Sequence, residues 1–359
     1  MKNIAIIGSV GIPARYGGFE TFAEQLITRL SEKYNFLIFC SKPHYRSRTT
    51  YHGNARRIFL PFRANGYQSV LYDIFSIIYS LFKADTLLIL GVSGCIILPI
   101  IKIFHNKRII VSVDGLDTKR EKWSKIAKIF ISISENIAVK YSNVVIADNT
   151  YIQKYIEEKY DCQSELIEYG SDHSINVQAS SDDLIKYPFV RDEYALAIAR
   201  IEKENHSDII LNAFSESSRF KLVYVGTWDT NNFSRDLYER YQSSENIILL
   251  HPIYDAHDIN LIRSNASIFI HGNGSGGTNP GLLEAMHVGL PIIAYDVNFN
   301  REVTRNNALF FKTDEELIDH LKSYVEDDSL VEKNKSAVRN VAQKHYSWDK
   351  IIKKYKQIL

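Results

Sequence analysis

Three stretches of this 359-residue chain combine residue types that could do chemistry together. The first is GSVGIPARYGGFET, Gly8 to Thr21, lying between a short apolar run and a long amphipathic one. Glycines there let backbone N–H groups approach a ligand closely, and the helix start after Gly17 and Gly18 offers partial positive charge. The segment reads as an anion site, with a tight turn as the structural alternative. It is not a dinucleotide fingerprint, because counting from Gly8 the G-x-G-x-x-G pattern needs glycines where Val10 and Pro13 stand. The second stretch is GNGSGGTNPGLLEAMHVGLPIIAYD, Gly272 to Asp296. Gly276, Gly277, Thr278 and Asn279 supply flexible backbone and two polar side chains, and Pro280 suits a first helical position. This helix start follows a strand, at the end where doubly wound sheets hold ligands. Glu284, one turn further in, reads either as a ligand contact or as a solvated helix carboxylate. Third, Arg200 follows the apolar run Tyr194–Ile198. A guanidinium at a strand's C-terminal end can grip a diphosphate bidentately and stabilise charge growing on a leaving phosphate, or it can form an ordinary surface ion pair.

Such segments need elements to hold them. Short β-branched runs alternate with longer amphipathic stretches, the pattern of parallel strands joined by crossover helices, so the chain reads as α/β throughout. In the first half the strand candidates are Asn3–Ile7, Phe36–Phe39, Thr86–Leu90, Arg108–Val113 and Asn143–Ile146. Their near-continuous apolar character implies burial on both sheet faces. Helical spacing marks Glu20–Lys33, Gln68–Phe82 and Lys122–Lys140. The series restarts with Tyr194–Ile198, Lys221–Val225, Asn246–Leu250, Ser267–Ile270 and Pro291–Ala294, separated by helices such as His206–Phe214 and Pro280–His287. Two tandem doubly wound domains follow, 1–180 and 181–345, with the polar, Ser-rich Asn176–Pro188 as the expected linker. A C-terminal helix over about 346–359, with Ile351, Ile352, Tyr355 and Ile358 at helical spacing, is expected to pack on a domain surface, with the first domain as the candidate.

With 45% hydrophobic and 24% charged residues the composition is globular, which excludes disordered, collagen-like and coiled-coil readings. The net charge of +1 marks no nucleic-acid binder. Charge is nevertheless uneven: residues 1–147 hold 20 Lys+Arg and 9 Asp+Glu, leaving 23 and 33 for the remainder. A basic front domain is what an anionic membrane surface attracts. Lys119–Lys140 is the sharpest instance, with basic residues clustered ahead of an apolar stripe that includes Trp123. A core-facing helix with solvated lysines gives the same periodicity. Cys40, Cys95 and Cys162 fit neither a disulfide framework nor a zinc site, which suggests a reducing compartment. The start, MKNIAIIGSV, reads as a strand and not as a signal peptide. The longest apolar run, Leu87 to Ile101, is too short and too interrupted to span a membrane.

In order along the chain, GIPARYGGFET, VDGLDTKREKW, ARIEKEN, HGNGSGGTNPGLLEAM and YDVNFNREV resemble the bacterial retaining glycosyltransferases of family 4. The likeness covers essentially the whole chain and is nearest the branch that contains polysaccharide rhamnosyltransferases. It implies a GT-B fold of two Rossmann-like domains facing an interdomain cleft that closes on the donor, with acceptor held mainly by the front domain and nucleotide-sugar mainly by the rear one. It also implies that no metal is needed. Carried over by position, Gly17 and Gly18 match the glycine pair beside the donor diphosphate. Arg200 matches the phosphate-gripping Arg, and Glu284 matches the second Glu of the Glu-(seven residues)-Glu motif, which contacts the donor ribose. The motif's first Glu falls at Gly276. The Lys usual five residues after the Arg falls at Asn205, with Lys203 as substitute. Asp114 occupies the strand-end position where many relatives have His, and becomes the candidate for orienting or deprotonating the acceptor hydroxyl.

The resemblance therefore implies transfer of a sugar, L-rhamnose from dTDP-rhamnose, onto a lipid-diphosphate-linked saccharide in bacterial surface polysaccharide assembly, at the cytoplasmic face of the membrane. Arg200 and the amides around Gly17–Gly18 and Gly276–Thr278 would stabilise the departing nucleoside diphosphate. His271 is a further donor-site candidate or a packed strand-end residue. His173 and Trp228 read as structural, and Asn300, Arg301 and Glu302 either reach the ligand or cap the next segment. Two other functions fit the same architecture: a nucleotide-sugar epimerase, and a noncatalytic partner subunit suggested by Gly276 and Asn205.

Overall fold

The computed structural model describes residues 1–15, 17–113, 123–216 and 220–359. The chain divides into two units, Met1–Tyr169 with Trp348–Leu359, and Gly170–Ser347. The first contains β1 (Lys2–Ile7), α1 (Gly18–Leu30), β2 (Tyr34–Ser41), β3 (Tyr51–His52), β4 (Ala55–Leu60), α2 (Gln68–Leu81), β5 (Thr86–Leu90), α3 (Leu98–Phe104), β6 (Arg108–Val113), α4 (Lys125–Tyr141), β7 (Val144–Ala147), α5 (Thr150–Tyr160) and β8 (Glu165–Leu166). Its eight strands run β3-β4-β2-β1-β5-β6-β7-β8, all parallel except the β3–β4 hairpin. The apolar runs of β1, β5 and β6 are buried along nearly their whole length, as their composition requires.

The second unit contains α6 (Ser181–Lys186), β9 (Tyr194–Ala199), α7 (Ser207–Glu216), β10 (Lys221–Gly226), α8 (Asn232–Tyr241), β11 (Ile247–Leu250), α9 (Ala256–Ser264), β12 (Ile268–His271), α10 (Pro280–Val288), β13 (Ile292–Tyr295), α11 (Asn298–Thr304), β14 (Leu309–Phe311), α12 (Asp314–Glu326) and α13 (Asp328–His345). Its parallel sheet is ordered β11-β10-β9-β12-β13-β14. Strand order therefore reverses direction between β9 and β12 here, and between β1 and β5 in the first unit. At such switch points the connections leave to opposite faces of the sheet and open a crevice at the carboxyl ends of the strands.

Two boundaries differ from the sequence expectation. The division falls at Tyr169–Gly170, ahead of the expected 180–181 boundary, and the polar segment Asn176–Pro188 is not a linker. Its polar groups are bonded into the second unit. The Val177 N–H donates to Ser264 Oγ (3.0 Å), His257 Nε2 to Asp183 Oδ1 (2.9 Å) and Lys186 Nζ to Asp258 Oδ2 (2.6 Å). A capping box between Ser180 and Asp183 starts α6. The hairpin β3–β4 escapes the apolar-run criterion because Arg56 and Arg57 interrupt it; Arg57 is buried, with its guanidinium over Phe59 and Tyr45.

The terminal helix α14 (Trp348–Ile358) belongs to the first unit, packed on α1. Phe22 of α1 meets the Tyr355 ring at 5.2 Å and the Trp348 ring at 6.2 Å between centroids, and Arg29 lies 5.4 Å over Trp348. Lys354 Nζ donates to Glu168 and to the Leu166 carbonyl. Replacing the buried indole, Trp348→Ala, leaves a cavity against α1, and the expected loss is about 3–5 kcal/mol of unfolding free energy, read by urea denaturation followed by circular dichroism. A loss within error of zero would mean that α14 contributes nothing to the first unit.

Candidate functional site

Two loops leave the carboxyl ends of β9 and β12 and are knitted together. The first runs from Arg200 through a 3-10 turn, Lys203–Asn205, to His206. Asn205 is buried, and its Nδ2 donates to the Arg200 carbonyl at 2.6 Å, closing the turn. The second loop, Gly272–Asn279, lies against it. The Gly274 N–H donates to the Glu204 carbonyl (2.8 Å), and His206 Nδ1–H donates to the Gly272 carbonyl (2.8 Å). A β-carbon on Gly272 would stand 2.2 Å from the Asn205 carbonyl oxygen, so only glycine allows this approach. His206 has φ of +48°, and its ring stacks on Tyr295 with centroids 3.5 Å apart. On the far side Asn300, fully buried, bridges the Asn273 and Tyr295 carbonyls, both at 2.9 Å. Asn300 therefore fixes the loop from behind and caps no segment, since Val297 is the N-cap of α11.

The loop ends at the start of α10. Asn279 is its N-cap, accepting from the Gly281 N–H at 2.9 Å, and Pro280 stands at the first turn. The preceding Gly276 has φ of +103°. A glutamate there would sit in backbone that L-residues rarely adopt, so the departure from the two-Glu motif is tied to the local conformation. Gly276, Gly277 and Thr278 thus lead amide-rich backbone into the positive end of a helix, at the switch point of the sheet.

Among the expected site residues, Arg200, Lys203, His271, Gly276, Gly277, Thr278 and Asn279 belong to these two loops and the strand ends that carry them. The register that pairs Phe269 with Leu196 brings Arg200 and His271 to one end of neighbouring strands. Lys203 is exposed, whereas Asn205, at the usual Lys position, is turned inward. His271 is buried, and among the described residues its Nε2 has no hydrogen-bond partner. Burial holds it down to about 3, so the ring is neutral and offers an uncommitted nitrogen.

Glu284 does not stand open for a ligand's hydroxyls. Its Oε2 accepts from Arg263 Nη2 and its Oε1 from His173 Nε2 at 3.1 Å. Burial pushes its carboxyl up, but the Arg263 charge and the His173 hydrogen bond outweigh this and hold it below the usual range. Arg263 is itself buried in α9, with Nη1 donating to Asn260 Oδ1 at 3.0 Å. Neither partner was singled out as functional from sequence. Arg263 carries one weak signal, an arginine continuing the buried stripe Leu261–Ile262. Trp228 is a core residue with Nε1–H donating to the Leu250 carbonyl, and Arg301 pairs with Asp296.

In the first unit, Gly17 caps α1 with extended backbone and Gly18 is its first helical residue. The loop ahead of them is less open to an outside anion than its glycines suggest. The Val10 N–H donates to Glu20 Oε1 (2.5 Å) and the Ala14 N–H to Glu24 Oε2 (3.3 Å), so carboxylates of α1 already occupy two of its amides. The first-turn amides of α1 are the ones left for a ligand. Asp114 lies outside the described residues. Among those residues no group of three or more His, Cys, Asp or Glu could hold a metal ion.

Residues 183–344 match the family described as Glycosyl transferases group 1, and residues 1–172 match the family described as Domain of unknown function (DUF1972). No curated protein matches the chain. Sucrose-phosphate synthase from Thermosynechococcus elongatus superposes with a TM-score of 0.84 at 16% identity, over 100% of this chain and 98% of that one. Anabaena Alr3699/HepE in complex with UDP and glucose gives 0.76 at 14%, over 99% of each. The S. aureus MnaA–UDP structure gives 0.66 at 14%, over 100% and 98%. The chain has the GT-B fold, and its second unit is a glycosyl transferase group 1 domain.

Two outcomes test the site's electrostatics. Glu284→Gln leaves Arg263 buried without its counter-charge, so a loss of about 3 kcal/mol is expected in urea unfolding, largely recovered in Glu284→Gln/Arg263→Met; equal stability of all three proteins would show the pair to be inert. For His271, the unfolded chain takes up a proton below about pH 6.5 that the folded chain refuses until about pH 3. Its stabilising effect is therefore complete above that window and is lost as pH falls through it. His271→Phe should remove about 1.4 kcal/mol per pH unit of slope between pH 6 and 4; an unchanged slope would mean that the imidazole is solvated.

Proposed function

We propose that the chain is a retaining, metal-independent glycosyltransferase whose second unit holds a nucleoside-diphosphate sugar at the β9–β12 switch point. The observation that carries this reading is the knitted pair of loops, which sets the Arg200 strand end, the glycine amides of 276–277 and the α10 N-terminus together. Each favours negative charge, and together they suit a diphosphate more than a neutral ligand. In the reaction the bond from the anomeric carbon to the β-phosphate oxygen breaks, its electron pair leaves on the diphosphate, and the acceptor oxygen bonds to the same face of the sugar. Arg200 and the amides stabilise the departing charge, and positioning supplies much of the remaining acceleration. His271 Nε2 is free to bond a donor hydroxyl or phosphate oxygen. Asp114 orients or deprotonates the acceptor hydroxyl.

The proposed donor is dTDP-L-rhamnose and the acceptor a lipid-diphosphate-linked saccharide of a capsule, O-antigen or exopolysaccharide, bound by the first unit at the inner face of the cell membrane. Gly276 in place of a glutamate removes a carboxylate from the donor side, which suits a 6-deoxy sugar. Structures similar in fold were solved with UDP or UDP-glucose, so UDP-glucose is the competing donor. Glu284, engaged by Arg263 and His173, must exchange a partner to reach a ribose, or else acts by positioning α10.

The test is transfer by the purified chain from a panel of nucleotide-sugars, dTDP-rhamnose and UDP-glucose included, to a lipid-diphosphate saccharide. A new glycosidic bond is expected, with kcat reduced about 10²–10³-fold in Arg200→Ala. Isomerised donor without acceptor would replace this reading with an epimerase. Donor binding without turnover would replace it with a noncatalytic subunit, the reading that the inward-turned Asn205 favours.

A further inference from the structure

Three helices of the first unit expose apolar side chains where solvent-facing helices ordinarily carry polar ones. Ten of the sixteen exposed large apolar residues among those described lie on, or just past the end of, α2, α3 and α4. On α2 they are Leu71, Phe75, Ile78 and Phe82, spaced four, three and four apart, one stripe of a helix. On α3 they are Ile100, Ile103 and Phe104. On α4 they are Ile126, Ile129 and Ile133, again one stripe, with Ile126 81% exposed. Several uncharged and acidic residues of α2 and α4 are instead buried: Asp73, Ser76, Ser80, Ser134 and Glu135. In α2, Ser76 and Ser80 donate to the Tyr72 and Ser76 carbonyls, and Asp73 accepts from Ser93 Oγ at 2.7 Å. In α4, Ser134 donates to the Val92 carbonyl, and Glu135 accepts from Lys159 Nζ (3.0 Å) and from the Tyr155 and Tyr160 hydroxyls. A helix that buries Ser134 and Glu135 while exposing Ile126, Ile129 and Ile133 fits an apolar surrounding on the outside.

The three faces belong to one surface. Strands β4, β5, β6 and β7 succeed one another in a single direction across the sheet, so their right-handed crossovers put α2, α3 and α4 on the same side. Helix α3 packs on α4, and Phe82 at the end of α2 meets the His105 ring just beyond α3, with centroids 5.8 Å apart.

Charge decides what covers the surface. Lys83 follows Phe82, Lys102 lies beside Ile103, and Lys125 and Lys128 flank Ile126. The carboxylates of these three helices, Asp73 and Glu135, are both buried. A second copy docked on this face would bring lysine against lysine, whereas anionic lipid headgroups would neutralise them. Among the described residues no helix is long and apolar enough to cross a membrane, so the fitting geometry is shallow seating in the plane of the headgroups.

We infer that α2, α3 and α4 form one membrane-seating face, which dips the Phe75, Ile103 and Ile129 stripes into an anionic bilayer while the four lysines meet its phosphates. This deepens the membrane part of the proposed function and rests on it for its biological meaning, but it makes a separate claim about which surface binds.

The test is co-sedimentation of the full chain with vesicles of phosphatidylcholine alone and of phosphatidylcholine with 30% phosphatidylglycerol. Binding is expected to the anionic vesicles in 0.1 M salt, at least tenfold weaker to the neutral ones, and strongly reduced in 0.5 M salt. Ile103→Asp/Ile129→Asp should lower it tenfold or more, and Lys125→Gln/Lys128→Gln by several-fold per charge. Ile103, Ile129 and Lys125 are exposed and Lys128 is half-buried, so circular dichroism and the thermal shift given by a nucleoside diphosphate should match the native chain. No vesicle binding by a folded chain overturns the inference, as does equal binding to both vesicle types. Self-association that disappears in the isoleucine variant, without vesicle binding, assigns the face to a second copy and also overturns it. A lost nucleotide shift with vesicle binding intact counts against the transferase reading alone.

Discussion

The carbonyl oxygen of Asn205 occupies the space that a side chain on residue 272 would need. Strands β9 and β12 are neighbours, so the loops leaving their carboxyl ends start one strand spacing apart and must either diverge or interlock. They interlock because Gly272 yields to the Asn205 carbonyl, Gly274 donates to Glu204, and His206 closes onto Gly272. From that contact follow the direction in which Arg200 leaves its strand, the burial of His271 and the approach of the glycine amides to α10. An alanine at 272 would have to displace backbone and not a flexible side chain tip, and the displacement would reach each of these groups.

The two glycine-rich loops look alike in sequence but are wired differently. In the first unit the amides of Val10 and Ala14 are bonded to Glu20 and Glu24, so the loop's own helix supplies the anion. In the second unit the nearest carboxylate on the following helix, Glu284, is turned to Arg263 and His173, and Gly276 stands at the position of the motif's first glutamate. Negative charge is thereby kept off the α10 N-terminus. The same arrangement explains why a buried carboxylate, an arginine and an imidazole meet behind this helix: they hold its position without adding net negative charge in front of it. A ligand rich in negative charge is the complement of the second loop and much less so of the first.

Strands were legible in the sequence wherever both sheet faces are buried, since β1, β5, β6, β9 and β10 each form a continuous apolar run. They were not legible at β3–β4, where two arginines interrupt the run and one is buried by stacking on aromatic rings. The unit boundary was obscured because the segment 176–188 is polar in composition yet has its polar groups bonded to α9, information that resides in contacts roughly 70–90 residues apart. The Arg200, His271 and Gly276–Asn279 cluster could be anticipated from strand ends and helix starts. The engagement of Glu284 could not, because its partners lie 21 and 111 residues away. For α4 the periodicity gave the helix but not its facing: apolar residues occur on both sides, and only burial shows that Ser134 and Glu135 point inward.

The most direct test of the central claim is calorimetric titration of the full chain with dTDP and UDP in the presence of a chelator, set beside Arg200→Ala. If the β9–β12 switch point holds the diphosphate, at least one nucleotide binds without metal, and removing the guanidinium weakens it about 10–100-fold, the scale of a charge-assisted bidentate contact. Binding of neither nucleotide, or equal affinity in the native and Arg200→Ala proteins, would contradict it.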